Sequence, residues 1–262
     1  MKRREFVSGV TAGAVTGLSG CLSGEIATGG YTLPEIKVKL FQTDEIADQS
    51  LPATSNEYVL TESKDLIEES FNTFSFDLEV NVEVSDVQIS ESNFTDAEKP
   101  LRVWSDLVED DLSEDEKAKH CNMIFMERDI PTVAGRAEFP CDCGKPRSSV
   151  IYGASDLYYT RSARIDTSES FNTSGQRYPV VVHEIGHQIG LEHNMGSVIR
   201  EDEDNQHVVT SAMLGAYAEE LDDNYWDENA FSEYDSSWSV YHEASFNPRI
   251  SRENFREVFD YS

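Results

Sequence analysis

The sequence has few cysteines, few basic residues and no long apolar run, and each shortage excludes a class of protein. Four cysteines in 262 residues are too few for a disulfide-rich scaffold, which places several bridges in a much shorter chain. Lysine and arginine number 21 against 50 aspartates and glutamates, for a net charge of −29. Such a surface repels phosphate backbones, so we expect no nucleic-acid partner. No run of 18 consecutive apolar residues occurs, so no transmembrane helix is predicted.

The N-terminal segment is typical of an export signal. Lys2-Arg3-Arg4-Glu5-Phe6-Val7 leads into a mildly apolar stretch over residues 7–18, which is too short to span a membrane. The paired arginines resemble a twin-arginine signal, and Leu18-Ser19-Gly20-Cys21 resembles a lipobox. These resemblances imply removal of residues 1–20, lipidation of Cys21 and a linker over residues 21–30. The protein would then lie at the outer face of the cell membrane, lipid-anchored, or outside the cell; a disordered start with two chance arginines is the alternative.

The acidic composition adds an expectation about salt. There are eight lysines and thirteen arginines, and residues 1–20 carry three basic residues and one acidic residue, so the remaining chain has a net charge of −31. Carboxylates at this density repel one another unless salt screens them, and the screening length falls to about 3 Å at 1 M. Together with the export signal, this composition resembles a haloarchaeal lipoprotein. Calcium binding by acidic residues 201–204 is an alternative, but EF-hand spacing is missing, which favours a solvated face.

The strongest chemical signal is one eleven-residue motif, H-E-x-x-H-x-x-G-x-x-H. His183 and His187 are four residues apart and therefore lie on one face of a helix, where both can bind the same ion. Glu184 is next to them and can reach a metal-bound water without binding the metal. Gly190 tolerates the positive φ that ends a helix, and the turn lets His193 complete the site. Three imidazoles and a water form an open, catalytic type of zinc site.

A surface helix that carries three histidines by chance is the alternative interpretation of the motif. The neighbouring residues argue against it, because Val180, Val181, Val182, Ile185 and Ile189 indicate a largely buried helix. Unpartnered imidazoles on a buried helix would cost free energy. The pattern therefore favours a metal site over chance.

The motif resembles that of the metzincin clan of zinc metallopeptidases, with matrixin-like and adamalysin-like features. Metzincins carry a methionine in a tight turn below the zinc, and Met213, twenty residues after His193, corresponds to it. Several metzincin families have a tyrosine two residues after this methionine, whereas this chain has Gly215. Tyr217 is the candidate to stabilise the transition state in its place.

Hydrophobic periodicity predicts one α/β domain after the linker. Strands are expected at residues 36–41, 76–89, 122–126, 132–139 and 149–154, and helices at 62–74, with Thr61 as a cap, and at 101–108. Residues 159–177 are expected to form a polar loop before the zinc helix.

The order of these elements resembles that of a metzincin N-terminal subdomain. The resemblance implies a mixed, mostly parallel five-stranded sheet in residues 31–193 and a small, mainly helical subdomain in residues 194–262. Helices are expected there at 228–242 and 251–259. The resemblance also implies that residues 135–139 are an antiparallel edge strand that pairs with extended substrate. An edge strand without a ligand is an equal alternative.

The cysteines other than Cys21 leave several arrangements open. Cys121 can pair with Cys141 or with Cys143 in an exported protein. Cys143-Gly144-Lys145-Pro146 is similar to the cysteine switch of matrixin propeptides, but it precedes His183 by only 40 residues, which favours a structural loop. No pair has C-x₂-C spacing, so a structural zinc at these cysteines is disfavoured.

These observations predict a zinc-dependent peptidase with one catalytic Zn²⁺ bound by His183, His187 and His193. Glu184 would act as general base on the metal-bound water, and the hydroxide would attack a peptide carbonyl of a peptide or protein substrate, with endopeptidase action favoured. A lipid-anchored metal-binding or adhesion protein with a vestigial zinc site is the alternative. The presence of Glu184 disfavours it, because a non-catalytic site has no need of a base. His120, His207 and His242 are expected at the surface or behind the ligands.

Overall fold

A five-stranded mixed sheet organises the larger part of the protein. The computed structural model describes residues 35–48, 56–94, 99–127, 135–138, 146–154, 162–165, 178–202, 207–214 and 239–251. Contacts divide the chain into Met1–Thr32 and Leu33–Ser262, and all described residues lie in the second unit. The predictions for Cys21, Cys141, Cys143 and Tyr217 therefore fall outside the described residues.

The strand order of the first sheet is β2-β1-β3-β5-β4. Strand β1 (Ile36–Thr43) is parallel to both β2 (Val80–Ile89) and β3 (Cys121–Met126), and β3 is parallel to β5 (Arg147–Tyr152). Strand β4 (Gly135–Ala137) pairs antiparallel with β5 at the sheet edge. The expected α/β class with a mixed five-stranded sheet is confirmed.

The central strands are the most apolar, because helices and loops cover both of their faces. Every residue of β3 is buried, as expected for a strand in the middle of a largely parallel sheet. On one face, Phe41, Trp104, Ile124 and Val150 belong to the same core cluster, and Phe41 meets Trp104 edge-to-face at 5.0 Å between ring centroids. Complete burial of one such large side chain contributes about 1.5–3 kcal/mol.

Four helices accompany the sheet within the described part of the chain: α1 (Asp44–Asp48), α2 (Asn56–Phe71), α3 (Pro100–Asp110) and α4 (Tyr178–Gln188). Helix α3, predicted at residues 101–108, begins with a proline at its first turn, where the missing N–H costs nothing. Trp104 and Val108 are four residues apart and form its buried face. Helix α4 contacts α2, β4 and β5.

Helix α2 and strand β2 begin at different residues from those predicted. Helix α2 starts six residues earlier because Val59 and Leu60 are buried and continue its apolar stripe. The prediction of Thr61 as a cap is wrong, since this residue lies exposed inside the helix. Phe76 was predicted in a strand, but it precedes β2 and stacks on Phe74, which in turn stacks on Phe246.

A second sheet, which the sequence did not predict, has the strand order β6-β9-β8-β7. It contains β6 (Ser162–Ile165), β7 (Val198–Asp202), β8 (His207–Thr210) and β9 (Ser239–Glu243). Strand β9 is antiparallel to β6 and parallel to β8, and β7 is antiparallel to β8.

The second sheet corrects two predictions. The expected loop at residues 159–177 contains β6, and the helix expected at residues 228–242 is contradicted where β9 forms. The described residues after 195 form strands and turns, whereas residues 228–238 and 252–259, where helices were expected, lie outside the described residues. The reason is long-range pairing: β6 and β9 hydrogen-bond to each other across a wide sequence separation, which overrides local helix propensity. Acidic residues 201 and 202 also belong to a strand, β7.

Two further expectations concern cysteine and membranes. Cys121 is a free, buried thiol, and burial raises its pKa to about 12. The expected disulfide to Cys121 is therefore wrong; its place in the central strand β3 surrounds it with core side chains instead. Among the described residues, no helix has the length and apolar character needed to cross a bilayer.

Candidate metal centre

Helix α4 presents the first two histidines of the motif from a buried position. Val181, Val182, Ile185 and Ile189 on this helix and its final turn are fully buried. They hold the helix against the sheet, so its remaining face carries His183 and His187. Burial of the flanking residues agrees with the interpretation that the motif lies on a core helix rather than on the surface.

The end of α4 is shaped by glycine. Gly190 has a φ of 89°, which is costly for other residues. The N–H of Leu191 donates to the carbonyl of Gly186 at 2.8 Å, and the N–H of Gly190 donates to the carbonyl of His187 at 3.0 Å. This is the Schellman pattern of helix termination. The predicted role of Gly190 is confirmed, and the turn leads directly to His193.

The three histidines of the motif converge through their Nε2 atoms. His193 lies in a 3-10 turn, His193–Met195. The Nε2 atom of His187 is 3.0 Å from Nε2 of His183 and 3.0 Å from Nε2 of His193, and the remaining pair is 3.3 Å apart. In a tetrahedral zinc site with bonds of about 2.0–2.1 Å, ligand nitrogens are about 3.3 Å apart. The spacing therefore suits one ion.

The hydrogen bonds of the other ring nitrogens define the tautomers of two ligands. Nδ1 of His183 is 2.7 Å from the carbonyl oxygen of Ala212, and Nδ1 of His187 is 2.9 Å from that of Leu191. A carbonyl only accepts, so each Nδ1 is the donor and each neutral Nε2 has a lone pair. Two lone pairs that face each other at 3.0 Å cannot form a hydrogen bond. Neutral nitrogen donors aimed at one point form the donor set that a zinc ion needs.

Burial keeps the imidazoles of His183 and His187 neutral. It lowers the pKa of His187 to about 4, with a smaller lowering from His193. It also lowers the pKa of His183 well below its ordinary value, and His187 adds to that effect. These two histidines therefore need not lose a proton near neutral pH before they bind a cation.

Glu184 lies buried next to His183 and under the edge strand β4. Its side chain touches Gly135: a β-carbon built on Gly135 would lie 2.6 Å from Cγ and 2.7 Å from Oε1 of Glu184. Burial raises the pKa of Glu184 to about 8 in the metal-free protein, against a smaller opposing effect of the Arg136 charge. The group is thus close to its titration range at neutral pH, where a general base is effective.

Met213 lies against helix α4 at Gly186. It is fully buried, and a β-carbon on Gly186 would overlap with its Sδ atom. Only a glycine at position 186 lets helix α4 approach this methionine so closely. The turn that carries Met213 is also close to the third-histidine loop, because a β-carbon on Gly196 would overlap with the backbone of Leu214.

Two residues far along the chain support the centre: sequence reasoning missed Asn247 and left the position of His242 open. Asn247 donates from its side-chain amide to the carbonyl of Met195 at 2.9 Å, which holds the turn of His193. His242 contacts the carbonyl oxygen of Ala212 through Nε2 at 2.8 Å. Neither residue belongs to a motif, and each is at least 49 residues from the ligand it supports, so no local signal identified them. The sequence left two positions open for His242, at the surface or behind the ligands, and the structure shows the second.

Comparisons with known proteins support a peptidase family. The family described as "Metallo-peptidase family M12B Reprolysin-like" matches residues 46–194, more than half of the chain. No curated protein matches the sequence.

Similar solved structures are distant. The first, "Structure of a chaperone-substrate complex", has 13% identity and a TM-score of 0.41, over 60% of this chain and 23% of that chain. Archaemetzincin from Methanopyrus kandleri has 13% identity and a TM-score of 0.39, over 87% and 95%. Metalloproteinase-II from Bacteroides fragilis has 12% identity and a TM-score of 0.37, over 87% and 53%. This chain thus spans less than two thirds of the first and third of these proteins, and similarity at this level carries no functional conclusion.

Proposed function

The chain belongs to the reprolysin-like M12B family of metallopeptidases, and on that premise we propose that it is a zinc-dependent peptidase that cleaves internal peptide bonds. The single observation that carries this proposal is the convergence of the three Nε2 atoms of His183, His187 and His193. These histidines would hold one zinc ion and leave a fourth position open.

When bound, zinc would lower the pKa of a coordinated water and polarise a substrate carbonyl. The neutral imidazoles leave the full charge of the ion uncompensated, which favours negative charge on the carbonyl oxygen during attack. His183 and His187 contribute orientation, because the carbonyls of Ala212 and Leu191 hold their rings.

Glu184 would act as the general base. Beside a dication its carboxylate form is favoured, and in that form it takes a proton from the attacking water and returns it to the leaving amine. Its burial under β4 keeps bulk water away from the carboxylate, and contact with Gly135 limits the positions that it can adopt.

Extended substrate would bind along β4. Among the described strands, β4 pairs only with β5 and ends the sheet, and its outer edge is where an extended peptide would add by antiparallel pairing. Because Gly135 of β4 touches Glu184, a peptide that pairs with this edge would pass close to the general base. The contact between Gly135 and Glu184 would thus both restrain the carboxylate and bring a bound peptide close to it.

The N-terminal signals extend the proposal to location. Arg3 and Arg4 would direct export, and Cys21 would carry the lipid that holds the protein at the outer face of the cell membrane. Cys21→Ser is then expected to release the protein from the membrane fraction, or to block removal of residues 1–20; unchanged processing and unchanged membrane association would contradict this part.

The decisive experiment separates metal binding from hydrolysis. Glu184→Gln should keep zinc, measured by elemental analysis, and lose at least about a hundredfold in hydrolysis of a diverse peptide library in molar salt. His187→Ala should lose both zinc and hydrolysis. Wild-type protein that holds zinc but cleaves no peptide would instead favour a metal-binding protein with a vestigial site. Equal cleavage by wild type and Glu184→Gln would mean that Glu184 is not the base.

A further inference from the structure

The carbonyl oxygen of Ala212 is shared by two imidazole rings. One is the ring of His183, whose Nδ1 is 2.7 Å away, and the other is the ring of His242, whose Nε2 is 2.8 Å away. His242 lies on β9, 59 residues beyond His183, and is buried at 6% exposure. It belongs to no part of the zinc motif, yet it meets the first histidine of that motif at a single oxygen atom.

Hydrogen-bond chemistry determines the roles of both rings. A peptide carbonyl has two lone pairs and no proton, so Nδ1 of His183 and Nε2 of His242 both donate. The oxygen of Ala212 therefore has both lone pairs occupied. Burial lowers the pKa of His242 to about 4, so this ring is a neutral donor at ordinary pH. The hydrogen bond from His242 occupies one lone pair of the Ala212 oxygen, so the N–H of His183 is directed to the other lone pair.

The backbone around Ala212 is held by the same segment of the chain. Strand β9 pairs with β8 so that His242 is opposite Thr210, and the N–H of Ala212 donates to the carbonyl of Ser245 at 2.7 Å. Ser211, next to Ala212, donates from its N–H to the carbonyl of Ser197 at 2.8 Å. These backbone bonds position the peptide unit, and the side chain of His242 is the remaining restraint on its carbonyl.

We propose that His242 is a positioning residue of the metal centre, which acts through the carbonyl of Ala212 to hold the His183 ring in the orientation and tautomer that metal binding requires. The inference rests on the proposed role of the three histidines as zinc ligands. Residues that orient a ligating histidine through its second ring nitrogen commonly change metal affinity by 10–100-fold when they are replaced. His242 lies one contact further from the metal site, because it orients the Ala212 carbonyl that in turn orients His183.

A purely structural role predicts a different outcome from a positioning role. The pairing of β9 with β6 and β8 uses backbone groups, so it survives replacement of the His242 side chain. A leucine at this position fills much of the ring's volume but cannot donate, whereas a glutamine places an N–H close to the position of Nε2. If His242 only fills space, His242→Leu should keep zinc affinity better than His242→Gln. If His242 positions the Ala212 carbonyl, His242→Gln should keep zinc affinity better.

The test compares His242→Leu with His242→Gln in the full-length protein. Zinc affinity is measured by competition with a chromophoric chelator in molar salt, where circular dichroism shows each variant folded. His242→Leu should bind zinc at least about tenfold more weakly than wild type, and His242→Gln should recover most of the loss. Substituted cobalt(II) should show an altered visible spectrum in His242→Leu and a near wild-type spectrum in His242→Gln. His120→Leu, which replaces a partly buried histidine far from the ligands in sequence, is the matched control and should keep wild-type zinc affinity.

Three results would overturn the inference. One is equal zinc affinity in wild type and His242→Leu while wild type binds zinc. Another is equal weakening by His242→Leu and His242→Gln, which would mean that any change at this position disturbs packing. The last is a wild type that binds no zinc, which would also remove the proposed ligands. The first two leave the Glu184 experiment unaffected, so failure here is distinguishable from failure of the proposed function.

Discussion

Gly135 and Glu184 are in direct contact across the interface between the edge strand and the zinc helix. The α-carbon of Gly135 is so close that an added β-carbon would lie 2.6 Å from Cγ and 2.9 Å from Cδ of the glutamate. The two residues are 49 positions apart, and only the packing of α4 beneath β4 brings them together. The strand that we propose to bind substrate thus also restrains the general base.

Gly135→Ala should lower peptide hydrolysis by at least about tenfold and leave zinc content unchanged. The new methyl group cannot fit unless the Glu184 carboxylate moves, and small misplacements of a catalytic group cost large factors in rate. The measurement is kcat on a peptide substrate beside elemental analysis. Ala137→Gly, in the same strand, is the control and should be close to wild type; a Gly135→Ala protein with full kcat would contradict the importance of the contact.

Gly186→Ala should destabilise the protein by about 1–3 kcal/mol, the usual cost of overpacking a core. Its methyl group would overlap with the Sδ atom of Met213, whose side chain is fully buried. The free energy of unfolding is measured with denaturant for wild type, both single variants and Gly186→Ala combined with Met213→Ala. The double variant should be more stable than the sum of the two single effects predicts, because the shorter side chain at position 213 leaves room for the new methyl group at position 186. Strict additivity would show that the two residues do not contact each other.

His120 should make stability depend on pH between about 4 and 6.5. Its Nδ1 accepts the N–H of Lys37 at 3.0 Å, and burial, helped by Lys119, Arg147 and Lys37, lowers its pKa to about 4 from 6.5. In this range the unfolded chain binds more protons than the folded one, so stability rises with pH and is lost as the pH falls.

The check on this prediction is His120→Asn, which keeps an acceptor but does not titrate. Between pH 7 and pH 5 the wild type should lose more free energy of unfolding than His120→Asn, as measured by denaturant titration at each pH. The comparison cancels the other buried histidines, which are the same in both proteins. Parallel losses in the two proteins would mean that His120 does not contribute.

Low salt should unfold the protein. Its net charge is −29. Ion pairs among the described residues, such as Lys64 with Glu68 at 3.7 Å, have partly exposed side chains, and exposed pairs contribute little to stability. Circular dichroism during dilution from about 3 M to 0.1 M salt measures the effect, with a neutral osmolyte at matched osmotic pressure as the control. Full stability at 0.1 M salt would show that the repulsion is tolerated without screening.

Predictions from sequence succeeded where the determining interactions are local. The spacing of His183 and His187, the helix end at Gly190 and the alternation of the strands around β3 all depend on residues within a few positions of one another. Strand bounds were less accurate at β2, because Phe76 joins an aromatic contact with Phe74 and, through it, with Phe246. That cluster includes a residue 170 positions away, which periodicity does not detect.

The sequence by itself determined the candidate ligand set, the acid-rich composition and the α/β class, because helix geometry, composition and hydrophobic period are properties of short windows. Only the tertiary structure decided that Cys121 is a buried thiol in a central strand, that β6 and β9 form a second sheet, and that Gly135 and His242 adjoin the metal centre. Each of these depends on segments that are far apart in the chain. Their association is set by packing and backbone pairing across the whole molecule, and no single segment encodes it.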